Sequence, residues 1–211
     1  MEGSASAPTH PHIELEPPEW QPRALRAGAR GLCGAVAFFM VAFVFAYFYL
    51  RAQDPDRDWK IGHVSPSVAF GLIILLVLIA SAVLLNMAAR RPELTVSAGG
   101  AALGLALLSI VLQVVQWTTL GFGPESGGYA SVFVGWTAFY TVLTLACAYW
   151  IETQVASIWR LRRGDVDRPV AAGVPTPEPA LAEAGIRACS FFWTFYVGIG
   201  VITFVILYLL K

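Results

Sequence analysis

The stretch AFFMVAFVFAYFYLR, residues 37–51, carries no charged side chain until Arg51 closes it. It is too apolar to face water, and it lacks the strict period-two alternation of a half-buried strand. Such a run belongs in hydrocarbon. The rest of the chain agrees: 57% of its 211 residues are hydrophobic and 13% are charged, and its mean hydropathy is +0.64, values that few water-soluble domains reach. Fourteen basic and fourteen acidic residues balance, so no net field draws the chain toward nucleic acid.

A bilayer core about 30 Å thick needs roughly 20 helical residues at about 1.5 Å each. Uncharged runs of that kind recur at about 31–50, 65–89, 94–122, 129–151 and 188–210. Only elements that satisfy their own backbone groups cross a membrane, and none of the runs alternates as a barrel strand does. The fold expected is therefore all-α, an integral membrane bundle of five transmembrane helices over 31–211. A flexible cytoplasmic tail, 1–30, precedes it, and a cytoplasmic linker over about 163–186 contains the helix-breaking V-P-T-P-E-P. The fourth helix is expected to run past the membrane through Glu152 toward Arg160. No internal repeat is visible.

Arginine and lysine divide unevenly. Arg23, Arg26, Arg30, Arg90, Arg91, Arg160, Arg162, Arg163, Arg168 and Arg187 fall on one side, and Arg51, Arg57, Lys60 and Lys211 on the other. Ten against four places the N-terminus in the cytoplasm and the C-terminus outside. The first thirty residues are polar and Pro-rich rather than a basic lead into a short apolar run, so the first span is expected to act as its own insertion signal. Tyr47, Tyr49, Trp59, Trp117, Tyr129, Trp150, Trp159 and Tyr208 sit near span ends, where amphipathic rings favour the headgroup region.

A charge at the bilayer centre costs about 2.5–3.5 kcal/mol on insertion scales and marks ion paths or catalysis. No span carries one in its interior. His10, His12 and His63 lie in the tail or an outer loop, and Cys33, Cys147 and Cys189 are scattered through apolar runs as small hydrophobes. Neither a metal centre, a serine elbow, a phosphate loop nor a carboxylate pair emerges. The spans carry neutral polarity instead: Gln113 and Gln116 share one face, as do Thr137, Thr141 and Thr144, with Asn86 on the second span. Such groups glue helices together at about 0.6–2 kcal/mol per contact, or line a solute path. Gly100-x-x-x-Gly104 with Ala98, Ala102 and Ala106 lets another backbone approach the third helix. Aromatics from Phe38 to Tyr49 and from Phe191 to Tyr196 give the first and last helices the look of contact surface.

These residues resemble subunit III of the haem–copper respiratory oxidases (cytochrome c oxidase subunit 3) in its five-helix form. Tyr47-Phe48-Tyr49-Leu50-Arg51 is similar to that family's Y-F-Y-L-R ending. Leu103-Gly104 through Gln113 to Gln116-Trp117 resembles its L-G, Q and E-W series, and Tyr129-Ala-Ser-Val-Phe133 its Y-x-S-x-F. Trp193-Thr-Phe195 with Tyr208-Leu209 is similar to its last helix, W-H-F ending in Y-L. Departures accompany the match: Ala35-Val36 stands for Ser-Glu, Gln116 for an acid, Tyr140 and Leu143 for histidines, and Thr194 and Val197 for His and Asp.

The resemblance implies a non-redox accessory subunit of a proton-pumping terminal oxidase of aerobic respiration, multi-pass in a bacterial plasma membrane. It would have no active site, bind no cofactor directly, pack beside the catalytic haem–copper subunit and hold structural phospholipid between helices. Tyr47, Arg51, Gln113, Gln116, Trp117 and Trp193 are the expected lipid or subunit contacts. A subunit III-like partner of a nitric oxide reductase fits the same outline. A small-solute transporter lined by Gln113, Gln116, Thr137 and Thr141 is the alternative from another class, and a membrane enzyme lacks a placed acid, base or nucleophile.

Overall fold

A computed structural model describes residues 20–54, 59, 65–164 and 179–210. The three histidines, Arg57, Lys60, Arg168, Lys211 and most of the expected tail and linker lie outside that set. Among the described residues the chain is all helix, with five helices long and apolar enough to cross a membrane. It is a multi-pass membrane protein. The helices are α1 (Gln21–Ala52), α2 (Val68–Arg90), α3 (Thr95–Thr118), α4 (Gly128–Arg162) and α5 (Pro179–Phe204), and α5 ends in a π-helical turn, Val205–Leu209.

Local chemistry sets the ends. Ser67 caps α2, its hydroxyl accepting from the Phe70 amide at 3.3 Å. The α2–α3 connection is closed by Pro92, which pushes Arg91 into an extended conformation and starts a short 3-10 turn, Pro92–Leu94. Thr95 then ties the turn together, its hydroxyl donating to Ala88 O and Pro92 O at 2.9 Å each. Gly164, at φ 68°, supplies the left-handed residue after α4, its amide donating to Leu161 O at 3.3 Å.

The helices outrun the apolar runs at several ends. α1 begins ten positions before the expected span, and α5 begins at Pro179, so residues 179–186 of the expected linker are helical. The reason is amphipathic packing: Ala182, Gly185 and Ile186 are buried against the protein while Glu183 and Arg187 face out. α3 stops at Thr118, short of Phe122, where Thr118 and Thr119 turn their hydroxyls back onto backbone carbonyls of the last turn.

α2, α3, α4 and α5 form a ring of antiparallel neighbours, and α1 lies outside it against α4 and α5. The ends alternate as the charge count requires. Arg162 at the end of α4 donates to Glu93 O in the α2–α3 turn at 3.3 Å, close to Pro179, so the arginines of α2, α4 and α5 gather at one end. Tyr47, Trp59 and Tyr129 meet at the other, with ring centroids 5.4 and 6.0 Å apart.

The two aromatic helices differ from expectation and from each other. On α1, Phe38, Val41, Phe45 and Tyr49 form an exposed stripe, Phe38 at 76%. On α5, Phe192, Trp193 and Tyr196 are buried and only Phe191 is well exposed, so the α5 aromatics are core rather than contact surface. Position explains this, since α5 touches α1, α2 and α4 at once. Small residues behave similarly. Gly99, Ala102, Ala106 and Ser109 form the buried stripe of α3, whereas Gly100 and Gly104 are exposed and a Cβ on either would meet nothing. The expected Gly100–Gly104 approach is therefore not made within this chain.

Candidate functional site

Three polar linkages cross the ring at successive depths. Nearest the arginine-rich end, the Asn86 amide donates to Thr194 Oγ1 at 2.6 Å and to Ala82 O at 2.9 Å, joining α2 to α5. Further in, Trp193 Nε1 donates to Ser81 Oγ at 3.2 Å, and Ser81 donates to Ala102 O at 2.7 Å, so one relay binds α5, α2 and α3. Beside it Tyr140 and Tyr196 stack with centroids 4.4 Å apart, and Tyr140 Oη donates to Tyr196 O at 3.1 Å. Tyr196 Oη in turn reaches Tyr140 O and Thr144 Oγ1, locking α4 to α5.

The third linkage lies toward the far end. Gln113 Nε2 and Tyr208 Oη both donate to Gln116 Oε1, at 3.0 and 2.9 Å. Two converging donors fix which way the Gln116 amide points. Its own Nε2 is buried with no partner among the described residues. Trp117 Nε1 donates to Thr137 Oγ1 at 3.0 Å, joining α3 to α4. Tyr129 Oη donates to Leu207 O at 2.6 Å, and Tyr47 Oη reaches Leu210 O at 3.4 Å, so the π-helical turn is gripped from both α4 and α1.

Two spaces adjoin these linkages. At the arginine-rich end a groove of about 630 Å3 opens between α2 and α5. Arg90 and Arg187 border it, Asn86, Ser190 and Thr194 add polar groups, and Phe191 and Phe195 add apolar wall. Arg187 keeps an exposed ion pair with Glu183 at 3.4 Å, which in high dielectric is worth little. The groove is thus cationic at its mouth and apolar beyond, the pattern of a site for an anionic amphiphile. A second space, a small cavity of about 40 Å3, lies inside the ring.

The expected site residues divide accordingly. Tyr47, Gln113, Gln116 and Trp193 are buried and bonded within the bundle, and Trp117 is half-buried on its bond to Thr137. Their polar atoms bond within this chain, to other helices or, for Gln113, to Gln116 on the same helix. Arg51, in the last turn of α1, is half-buried. Of the residues expected to line a solute path, Gln113 and Thr137 border the small cavity, Gln116 bonds to its lining, and Thr141 lies a turn away on its bond to Thr137 O at 2.7 Å. The sequence reading missed the groove, because Arg90 and Arg187 were legible only as orientation charges on different helices. It also missed Ser81 and the pairing of Tyr140 with Tyr196, which no short-range spacing connects. Among the described residues, no three His, Cys, Asp or Glu side chains gather.

No protein-family model matches the chain, and no curated protein matches it significantly.

Proposed function

We propose that this chain is a non-redox, subunit III-like accessory subunit of a haem–copper terminal oxidase in a bacterial plasma membrane. Its N-terminus would lie in the cytoplasm and its C-terminus outside. The observation that carries the reading is how the family-like motifs are used. Tyr47, Gln116-Trp117, Tyr129, Trp193 and Tyr208, drawn from separate motifs, each make an interhelical hydrogen bond. Residues that resemble the family by order along the chain are among those that hold this bundle together. Its intramembrane polarity is neutral and engaged in packing, while the exposed aromatic stripe of α1 offers apolar area to a neighbouring chain or to acyl chains.

The experiment is affinity purification of the tagged full chain from its own membranes in mild detergent. A larger, many-span, histidine-rich chain is expected to accompany it. Recovery of the chain alone, or only with partners lacking haem ligands, would remove the proposal. A catalytic partner of the nitric oxide reductase type would select that member of the pair instead.

The α2–α5 groove is the place proposed for phospholipid, with the phosphate at Arg90 and Arg187 and an acyl chain along Phe191 and Phe195. A charge-assisted contact contributes about 1.5–3 kcal/mol, so Arg90→Gln with Arg187→Gln is expected to weaken lipid retention by about tenfold or more. Phosphorus analysis and mass spectrometry of lipid extracted from the purified complex measure this. Unchanged phospholipid content in the double variant would reject the groove.

A further inference from the structure

The small cavity at the centre of the α2–α5 ring combines features that an empty apolar void lacks. Gln113 on α3, Thr137 and Tyr140 on α4, and Thr203 and Tyr208 on α5 face it, alongside Leu75 and Leu78 of α2. Thr203 is 8% exposed, and its hydroxyl is buried with no hydrogen-bond partner among the described residues. A helical threonine ordinarily bonds a carbonyl of the preceding turn, as Thr137, Thr141, Thr144 and Thr194 all do. Thr203 is the exception, and it borders the cavity. A second unpartnered donor, Gln116 Nε2, lies outside the lining, on an amide whose oxygen is held by Gln113 and Tyr208, both lining residues.

We propose that this cavity is a hydration site inside the membrane-spanning ring, with ordered water anchored by the Thr203 hydroxyl. The space of about 40 Å3 exceeds the roughly 10–15 Å3 that one water requires, so it has room for more than one molecule. Each needs two to four polar partners. Thr203 supplies a donor and acceptor, and the hydroxyl oxygens of Tyr140 and Tyr208 keep free lone pairs after donating to Tyr196 O and Gln116 Oε1. Leaving the Thr203 hydroxyl bare in hydrocarbon would cost more than immobilising the water. Gly71 and Gly200 keep the space walled by tyrosine, since a Cβ at Gly71 would strike the Tyr208 ring and one at Gly200 the Tyr140 hydroxyl. The inference holds whichever partner chain the protein serves.

The test is water-edited solid-state NMR on the full chain in lipid nanodiscs, with Leu and Thr methyl groups labelled. Leu78 borders the cavity, whereas Leu85, two turns along the same helix and equally buried, does not. Water magnetisation is expected to reach the Leu78 and Thr203 methyls several-fold faster than those of Leu85. Equal, slow build-up at all three would mean a dry cavity and overturn the proposal. Thr203→Val keeps the shape and removes the anchor, so transfer to Leu78 should fall to the Leu85 rate, while Thr203→Ser should retain it. Undiminished transfer in the valine variant would overturn the role given to Thr203.

Discussion

Trp193→Ala is expected to destabilise the isolated chain by about 3 kcal/mol, the largest effect of any single change considered. Trp193 is among the largest fully buried side chains, and it sits on the helix that packs against α1, α2 and α4. In lipid the gain from packing comes from dispersion and interhelical hydrogen bonds rather than from water release, so an unfilled cavity forfeits contacts with no compensating solvent. The variant also strips Ser81 of its donor, and Ser81 carries the relay to Ala102 on α3. Trp193→Phe keeps most of the volume and should cost about 1 kcal/mol, the indole hydrogen bond alone. Phe38→Ala removes a ring that is 76% exposed; it should leave the isolated chain's stability unchanged and instead reduce recovery of the partner chain. The midpoint of unfolding in a denaturing-detergent titration, followed by helix content, measures all three. Equal costs for Trp193→Ala and Phe38→Ala would contradict the contrast between a buried α5 and an outlying α1.

Gln116→Leu is expected to cost about 2 kcal/mol. The side chain's volume is nearly preserved, so the loss comes from two buried donors, Gln113 Nε2 and Tyr208 Oη, that converge on one oxygen and would be left without it. Tyr208→Phe removes one of those donors and leaves the acceptor partly satisfied, so it should cost less than Gln116→Leu. In the purified complex neither change should alter the haem spectrum. A shifted spectrum in the Gln116 variant would mean that α3 acts on the redox centre directly rather than on the bundle.

Hydropathy made the five helices legible because hydrocarbon forbids every alternative that leaves backbone groups bare. The stretch ending at Arg51 could thus be placed in a helix without tertiary information. Helix ends were less legible, since Pro179–Ile186 is amphipathic rather than uniformly apolar and its helicity follows from burying Ala182, Gly185 and Ile186. The polar faces of α3 and α4 were readable from i, i+3 and i+4 spacing: Gln113 bonds Gln116, and Gln113 and Thr137 border one cavity. Their partners were not readable. Tyr208 finds Gln116 on a parallel helix across the ring, and Trp193 finds Ser81 on an antiparallel neighbour, each across many residues of chain. Likewise the aromatic runs of α1 and α5 look alike as composition, and only the position of each helix in the bundle makes one a surface and the other a core.

The central claim is that this chain holds no redox group and serves a companion that does. A reduced-minus-oxidised visible spectrum, recorded on the purified assembly and again on this chain after it is stripped from its partner, tests that claim most directly. The expected result is haem absorbance in the assembly that stays with the partner and is absent from the separated chain. Haem on the isolated chain, or an assembly with no haem at all, would contradict it.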